Sequence, residues 1–124
     1  MCFHDRTHHS IPDYLKGEFT DDYGIKYAIS SSEWIQYPDF KLSISLIDTI
    51  EMCVIGFNPA DTTYTKIDYM PFTDQGDFKW GFCYSAYDKK NIQGALKSES
   101  ANRDTPKTGC NGFPFSRMKP IKSE

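Results

Sequence analysis

From Gly17 onward apolar and polar residues alternate with a period of two, and this pattern constrains the fold more than any motif does. It is cleanest over Phe40–Ile47, where Phe40, Leu42, Ile44 and Leu46 share one face and Lys41, Ser43 and Ser45 the other. Phe78, Trp80, Phe82 and Tyr84 fall on one face in the same way, with Lys79, Gly81, Cys83 and Ser85 opposite. Strands with one dry and one wet face belong to an antiparallel sheet closed over a core. Turn chemistry separates them at Asp21–Gly24, Pro38–Asp39, Asn58–Asp61 and Asp74–Asp77. The expected fold is all-β, a small antiparallel barrel or barrel-like sandwich of lipocalin-like size built from about seven strands.

The strand-by-strand reading gives a first hairpin from Gly17–Gly24 and Ile25–Ile29, then short strands at Glu33–Tyr37, Phe40–Ile47 and Ile50–Phe57. Residues 62–73 alternate with a phase slip, since Ile67 and Tyr69 share one parity and Met70 and Phe72 the other. That slip predicts a β-bulge near Tyr69–Met70. A single short helix is expected between Asp88 and Ala101, with Asp88 as its N-cap and Ile92, Ala95 and Leu96 as its apolar stripe. Gly109–Met118 closes the domain as an extended segment, and Pro114 favours an edge position for it. The organisation is a polar N-terminal arm (1–16), a single β-domain (17–118) and a basic tail (119–124).

With 124 residues the chain suffices for one core, which nine Phe, eight Tyr and two Trp would build from few, large side chains. The formal charge of −3 comes from interspersed acids and bases, without the basic face a nucleic-acid binder shows. No apolar run approaches the ~18–20 residues of a transmembrane helix, and Met1–Asp5 carries no signal-peptide core, so an exported protein would be represented in mature form. Cys2 sits where a lipid anchor would attach; the plainer alternative is an ordinary near-terminal cysteine.

Four cysteines allow three pairings. Cys83–Cys110 is the first choice, since Cys83 points away from the aromatic row toward a covering segment. Cys2 and Cys53 then form a second bridge or stay as thiols. Four unlinked cysteines in a reducing compartment is the alternative. The elements Trp80-x-x-Cys83-x-x-x-Tyr87 and Gly109-Cys110-x-Gly112-Phe113-x-x-Ser116, with the hairpin Gly17–Gly24, resemble small β-domains of bacterial lipoproteins and secreted proteins of unassigned function. The resemblance spans most of Gly17–Met118. It implies an extracytoplasmic β-fold with a Cys83–Cys110 bond and brings no catalytic residues.

Candidate sites divide by chemistry. Trp34, Tyr69, Trp80 and Tyr84, with Phe78, Phe82 and Tyr87, either fill the core or line a cup for a small apolar or carbohydrate ligand. Asp68, opposite Ile67 and Tyr69, is the one carboxylate placed to act as a buried general base; the alternatives are a place on the wet face or pairing with a basic group. His4, His8 and His9 are the only histidines and read as a solvated arm rather than a metal site. Asp74 and Asp77 lack the spacing of a calcium loop, and Ser116-x-x-Lys119 lacks the helix its serine-enzyme counterpart needs. The functional expectation is a non-enzymatic, exported or surface-anchored binding domain without a cofactor. An interaction or inhibitor domain with a solid core is the alternative, and a small acid/base enzyme using Asp68 the third choice.

Overall fold

The structure is a computed structural model that describes residues 10–121. Within them the chain runs as an eight-stranded antiparallel meander closed into a barrel: β1 (Gly17–Asp21), β2 (Lys26–Ile29), β3 (Glu33–Gln36), β4 (Phe40–Asp48), β5 (Cys53–Asn58), β6 (Thr63–Pro71), β7 (Trp80–Lys89) and β8 (Ser116–Pro120). One short helix, α1 (Ile92–Leu96), lies between β7 and β8.

Closure depends on β8. It pairs with β7 through Trp80↔Met118 and Phe82↔Ser116, and with β1 through Asp21↔Met118 and Phe19↔Pro120. The closing segment is therefore not an edge strand, and the barrel leaves no unpaired edge to protect. Pro114 precedes the strand and Pro120 is its last residue, after which the Ile121 N–H still donates to the Glu18 carbonyl at 2.9 Å. The barrel has eight strands where about seven were expected, and the closing Gly109–Met118 segment contributes only its last residues to β8, which continues two residues into the basic tail.

The alternation holds where the ladders are regular and fails at bulges. On β4 the partner of Ile44 is Gly56 and that of Leu46 is Ile55, so Ser45 is an extra residue. Ile44 stays inside the barrel, Leu46 swings outside, and Ile47 takes the inward place opposite Val54. The slip expected on β6 lies instead on β7. Lys66 faces Ala86 while Ile67 faces Tyr84, which makes Ser85 an extra residue, and Tyr64 faces Lys89, so that Tyr87 and Asp88 together stand against Thr65, one residue in excess. Asp88, expected as a helix cap, sits in this bulge at φ +58°; Asn91 caps α1, its side chain accepting from the Gly94 N–H at 2.7 Å. Gly56 is required where it stands, because a Cβ there would lie 2.8 Å from Leu42 Cβ.

The interior is a column of rings. Trp34, Trp80, Phe82 and Tyr27 are all at most 2% exposed. They meet edge to face at centroid distances of 4.9 Å (Trp34–Phe82), 5.5 Å (Tyr27–Phe82) and 6.1 Å (Trp34–Trp80). One end of the column is sealed: Ile11 and Leu15 pack into the core, and Tyr14 lies edge-on to Tyr69 and Trp80. The described part of the polar N-terminal arm thus contributes Ile11 and Leu15 to the core as a plug.

Outside the barrel, α1 sets Ala95 and Leu96 against Leu46, Cys53 and Ile55 as a second small core. The segment after it, residues 97–115, is held as a strap by the Cys83–Cys110 disulfide, with Cα atoms 5.6 Å apart. Cys53 is also disulfide-bonded; Cys2, its expected partner and the expected lipid-anchor position, lies outside the described residues. Among the described residues no helix is long and apolar enough to cross a membrane.

Candidate functional site

The four aromatic residues singled out from the sequence belong to one interior. Trp34 and Trp80 are wholly buried in the ring column, and Tyr69 is buried at the sealed end under Tyr14. Tyr84 stands toward the opposite, open end. Its hydroxyl accepts from Trp34 Nε1 at 2.9 Å and donates to Gln36 Oε1 at 2.7 Å, which ties β7 to β3 across the barrel. Burial raises the Tyr84 phenol well above its ordinary value of 10.0, so it remains a neutral donor.

Above Tyr84 the barrel opens into a recess of about 430 Å³. Phe40 and Tyr84 form its floor, edge-on to each other at 5.6 Å, and Tyr87, 62% exposed, stands at its rim. Gln36, Asn58, Thr63 and Thr65 add hydrogen-bonding groups, and Asp61 and Asp88 add two carboxylates. The bulges of β7 create this arrangement. Without the extra residue at Ser85, position 86 would continue the inward row of Trp80, Phe82 and Tyr84; instead Ala86 turns outward opposite Lys66 and Tyr87 turns to the mouth. Asp88, which lines the recess, has a positive φ of +58°, and so does Thr62 (+56°), which lies in sequence between the lining residues Asp61 and Thr63. Asp61 Oδ1 holds the β5–β6 turn by accepting from Thr63 N at 3.1 Å and Thr63 Oγ1 at 2.6 Å.

Sequence reasoning found the floor residue Tyr84 and named Tyr87, but missed Gln36, Phe40, Asn58, Asp61, Thr63, Thr65 and Asp88. The turn signal at Asn58–Asp61 was visible in the sequence; what places it beside Asp88 is the pairing of β6 with β7.

Asp68 has another role. On the outer surface of the sheet it stands in register between Cys53 on β5 and Cys83 on β7, and the strap covers it. Its Oδ2 accepts from the Ala101 N–H at 2.8 Å, and its Oδ1 faces Arg103 at 3.7 Å and Lys66 at 3.9 Å. Lys66 is fully buried and donates to the Ser98 carbonyl at 3.0 Å and Ser100 Oγ at 2.9 Å. Burial pushes the Lys66 ammonium below its ordinary range, with Asp68 opposing the shift. Arg103 donates to the Tyr69, Glu51 and Met52 carbonyls. Apart from the Lys66–Asp68 pair, which lies within β6, these contacts fasten the strap to the barrel wall, and Asp68 meets basic groups there rather than the space a substrate would need.

The remaining motifs carry no site geometry. Ser116 and Lys119 lie on a strand at odd separation and so point to opposite faces. Among the described residues no group of three His, Cys, Asp or Glu side chains is placed to hold a metal, and Asp74, at φ +59°, is a turn residue. His4, His8 and His9 lie outside the described residues. No protein-family model, curated protein or solved structure matches this chain.

Proposed function

We propose that the chain is an exported, non-enzymatic binding domain that seats a small hydroxylated, carbohydrate-like ligand in the open mouth of its barrel. The observation that carries this reading is the composition of the recess: three aromatic side chains for apolar contact, ringed by amide, hydroxyl and carboxylate groups able to orient a polar molecule. An apolar ligand enclosed in the barrel is disfavoured, because Trp34, Phe82 and Trp80 already occupy the middle of the barrel at close-packed distances. Export is supported by the Cys83–Cys110 bond and the bonded Cys53, since a reducing cytosol keeps such thiols open. The resemblance of the Trp80–Tyr87 and Gly109–Ser116 segments to exported β-domains points the same way.

The test is a titration of isotope-labelled protein with mono- and disaccharides, followed by amide and aromatic NMR shifts. Saturable shifts should concentrate at Phe40, Thr65, Tyr84 and Tyr87 and leave Tyr14 and Tyr69 at the sealed end unmoved. A mouth silent to sugars and to other small hydroxylated molecules would sink the reading, whatever apolar compounds do there. A second reading, an interaction domain that docks a protein, rests on a separate observation. Tyr23 (77% exposed) and Tyr37 (41%) sit on the β1–β2 and β3–β4 turns, at the same end of the barrel as Tyr87. Loss of a partner on Tyr23→Ser and Tyr37→Ser, with the recess untouched, would separate the two.

A further inference from the structure

We infer that the ligand of the mouth carries a positive charge, presented as a compact organic ammonium group. The inference rests on the mouth being the binding site and adds the charge class of what binds there. It starts from the charges that line the recess. Among the described residues Asp61 and Asp88 are its two ionic side chains, and no Lys, Arg or His lines it. Among the described residues neither carboxylate is paired with a cation. Asp61 is engaged through Oδ1 with Thr63, and Asp88 makes no ion pair or side-chain hydrogen bond. An anionic ligand would meet two like charges and no donor of opposite sign. A purely apolar ligand would strip water from both carboxylates with nothing in return.

A cation satisfies both parts of the lining. The carboxylates supply opposite charge, and the faces of Phe40, Tyr84 and Tyr87 supply the negative π-surface to which an alkylated ammonium is drawn. Phe40 and Tyr84 are inclined by 75° to one another, so the two rings form the walls of a corner rather than a flat stacking shelf. A corner suits a roughly spherical group such as a quaternary ammonium, whereas a flat ring stacks best on a single face. Gln36, Asn58 and Thr65 remain to hydrogen-bond a hydroxyl carried on the same small molecule.

The decisive experiment compares choline with 3,3-dimethylbutan-1-ol, which has the same shape and hydroxyl but a carbon in place of the charged nitrogen. Each is titrated into labelled wild-type protein and into D61N, D88N and the D61N/D88N double variant. The substitutions spare the backbone: the Asn amide oxygen still accepts from Thr63, and Asn tolerates the positive φ of position 88 as Asp does. Wild type should show mouth-localised shifts with choline at least 10-fold tighter than with the neutral isostere. Added salt should weaken only the choline arm, and the double variant, checked for an unchanged melting temperature, should lose the preference. Equal affinity for the two compounds, or a preference that survives in D61N/D88N, overturns the charge assignment. Mouth shifts with neutral sugars but not with choline overturn it too, and leave the mouth standing as a site. Silence of the mouth to sugars and choline together removes both.

Discussion

Replacing Cys83 and Cys110 by alanine tests how the strap is held. The bond closes a loop of sequence separation 27, and for a loop of that size the chain-entropy relation gives about 3.5 kcal/mol at 25 °C, expressed almost wholly in the unfolded state. A domain of this size should lose roughly 10–15 °C of melting temperature. The strap itself should stay in place, because the contacts that fasten it do not pass through sulfur. Lys66 donates to Ser98 and Ser100, Ala101 N–H donates to Asp68, and Arg103 donates to three carbonyls of the barrel wall. Detachment would hydrate a buried Lys66 and Asp68, but it would also break each of these bonds. Urea unfolding of the C83A/C110A variant, with the Cys53 bond intact, should therefore show a single transition, with a lower midpoint and a slope no smaller than wild type. The Ala101 amide should exchange at the global unfolding rate in both proteins. The reasoning is refuted if Ala101 exchanges through a local opening in the variant, or if the loss of stability is below about 1 kcal/mol.

Two tyrosines form a matched pair. Tyr27 donates its hydroxyl to Asp21 Oδ2 at 2.8 Å, whereas the buried Tyr69 hydroxyl has no hydrogen-bond partner among the described residues. Tyr27→Phe should cost about 1–3 kcal/mol, because it leaves a buried carboxylate short of a donor, while Tyr69→Phe should be neutral or slightly stabilising; denaturant melts of the two variants compare them directly. Alkaline titration supplies a third check. Burial raises the phenols of Tyr27, Tyr69 and Tyr84 above the ordinary 10.0. Above that pH the unfolded chain has lost protons the folded one keeps, so their contribution to stability is full below pH 10.0 and falls as pH rises further. Lys66 works with the opposite sign, its lowered value adding stability as pH approaches 10.5, and Lys66→Met separates the two effects. Ultraviolet titration should show these three phenols ionising together with unfolding; smooth ionisation in a folded protein would contradict their burial.

The barrel was legible wherever a residue's face follows from its neighbours in sequence. Trp80, Phe82 and Tyr84 point inward as their spacing requires, Cys83 points outward to its partner, and Leu42 and Ile44 lie inside. Legibility ended at Ser45 and Ser85. An extra residue in a ladder is decided by how the sheet must bend to close, and nothing local to the serines marks it. The buried Lys66 was invisible for a related reason. Lysine between Thr65 and Ile67 reads as a solvent-facing residue, and only the return of residues 98–100, far along the chain, supplies the carbonyl and hydroxyl that make its burial tolerable. The mouth was half legible: its floor lies on the aromatic row, while its rim is assembled from the ends of strands brought together by pairing.

The two ends of the barrel are built to opposite ends of a trade between stability and access. At the sealed end Ile11, Leu15 and Tyr14 remove the last aromatic surfaces from water, and Tyr69 and Trp80 keep polar atoms there that no described residue pairs. Burying those rings offsets the unpaired atoms, since each large aromatic side chain removes roughly 150–250 Å² from solvent. At the open end the same sheet keeps Tyr87 in water and holds Thr62 and Asp88 at positive φ, a conformation that costs of order 1 kcal/mol for residues other than glycine. Replacing Asp88 by glycine should relieve that cost and leave the barrel as stable or slightly more so, which implies that stability does not account for an aspartate there. The carboxylate at that position lines a recess with aromatic walls in which, among the described residues, no side chain carries a positive charge.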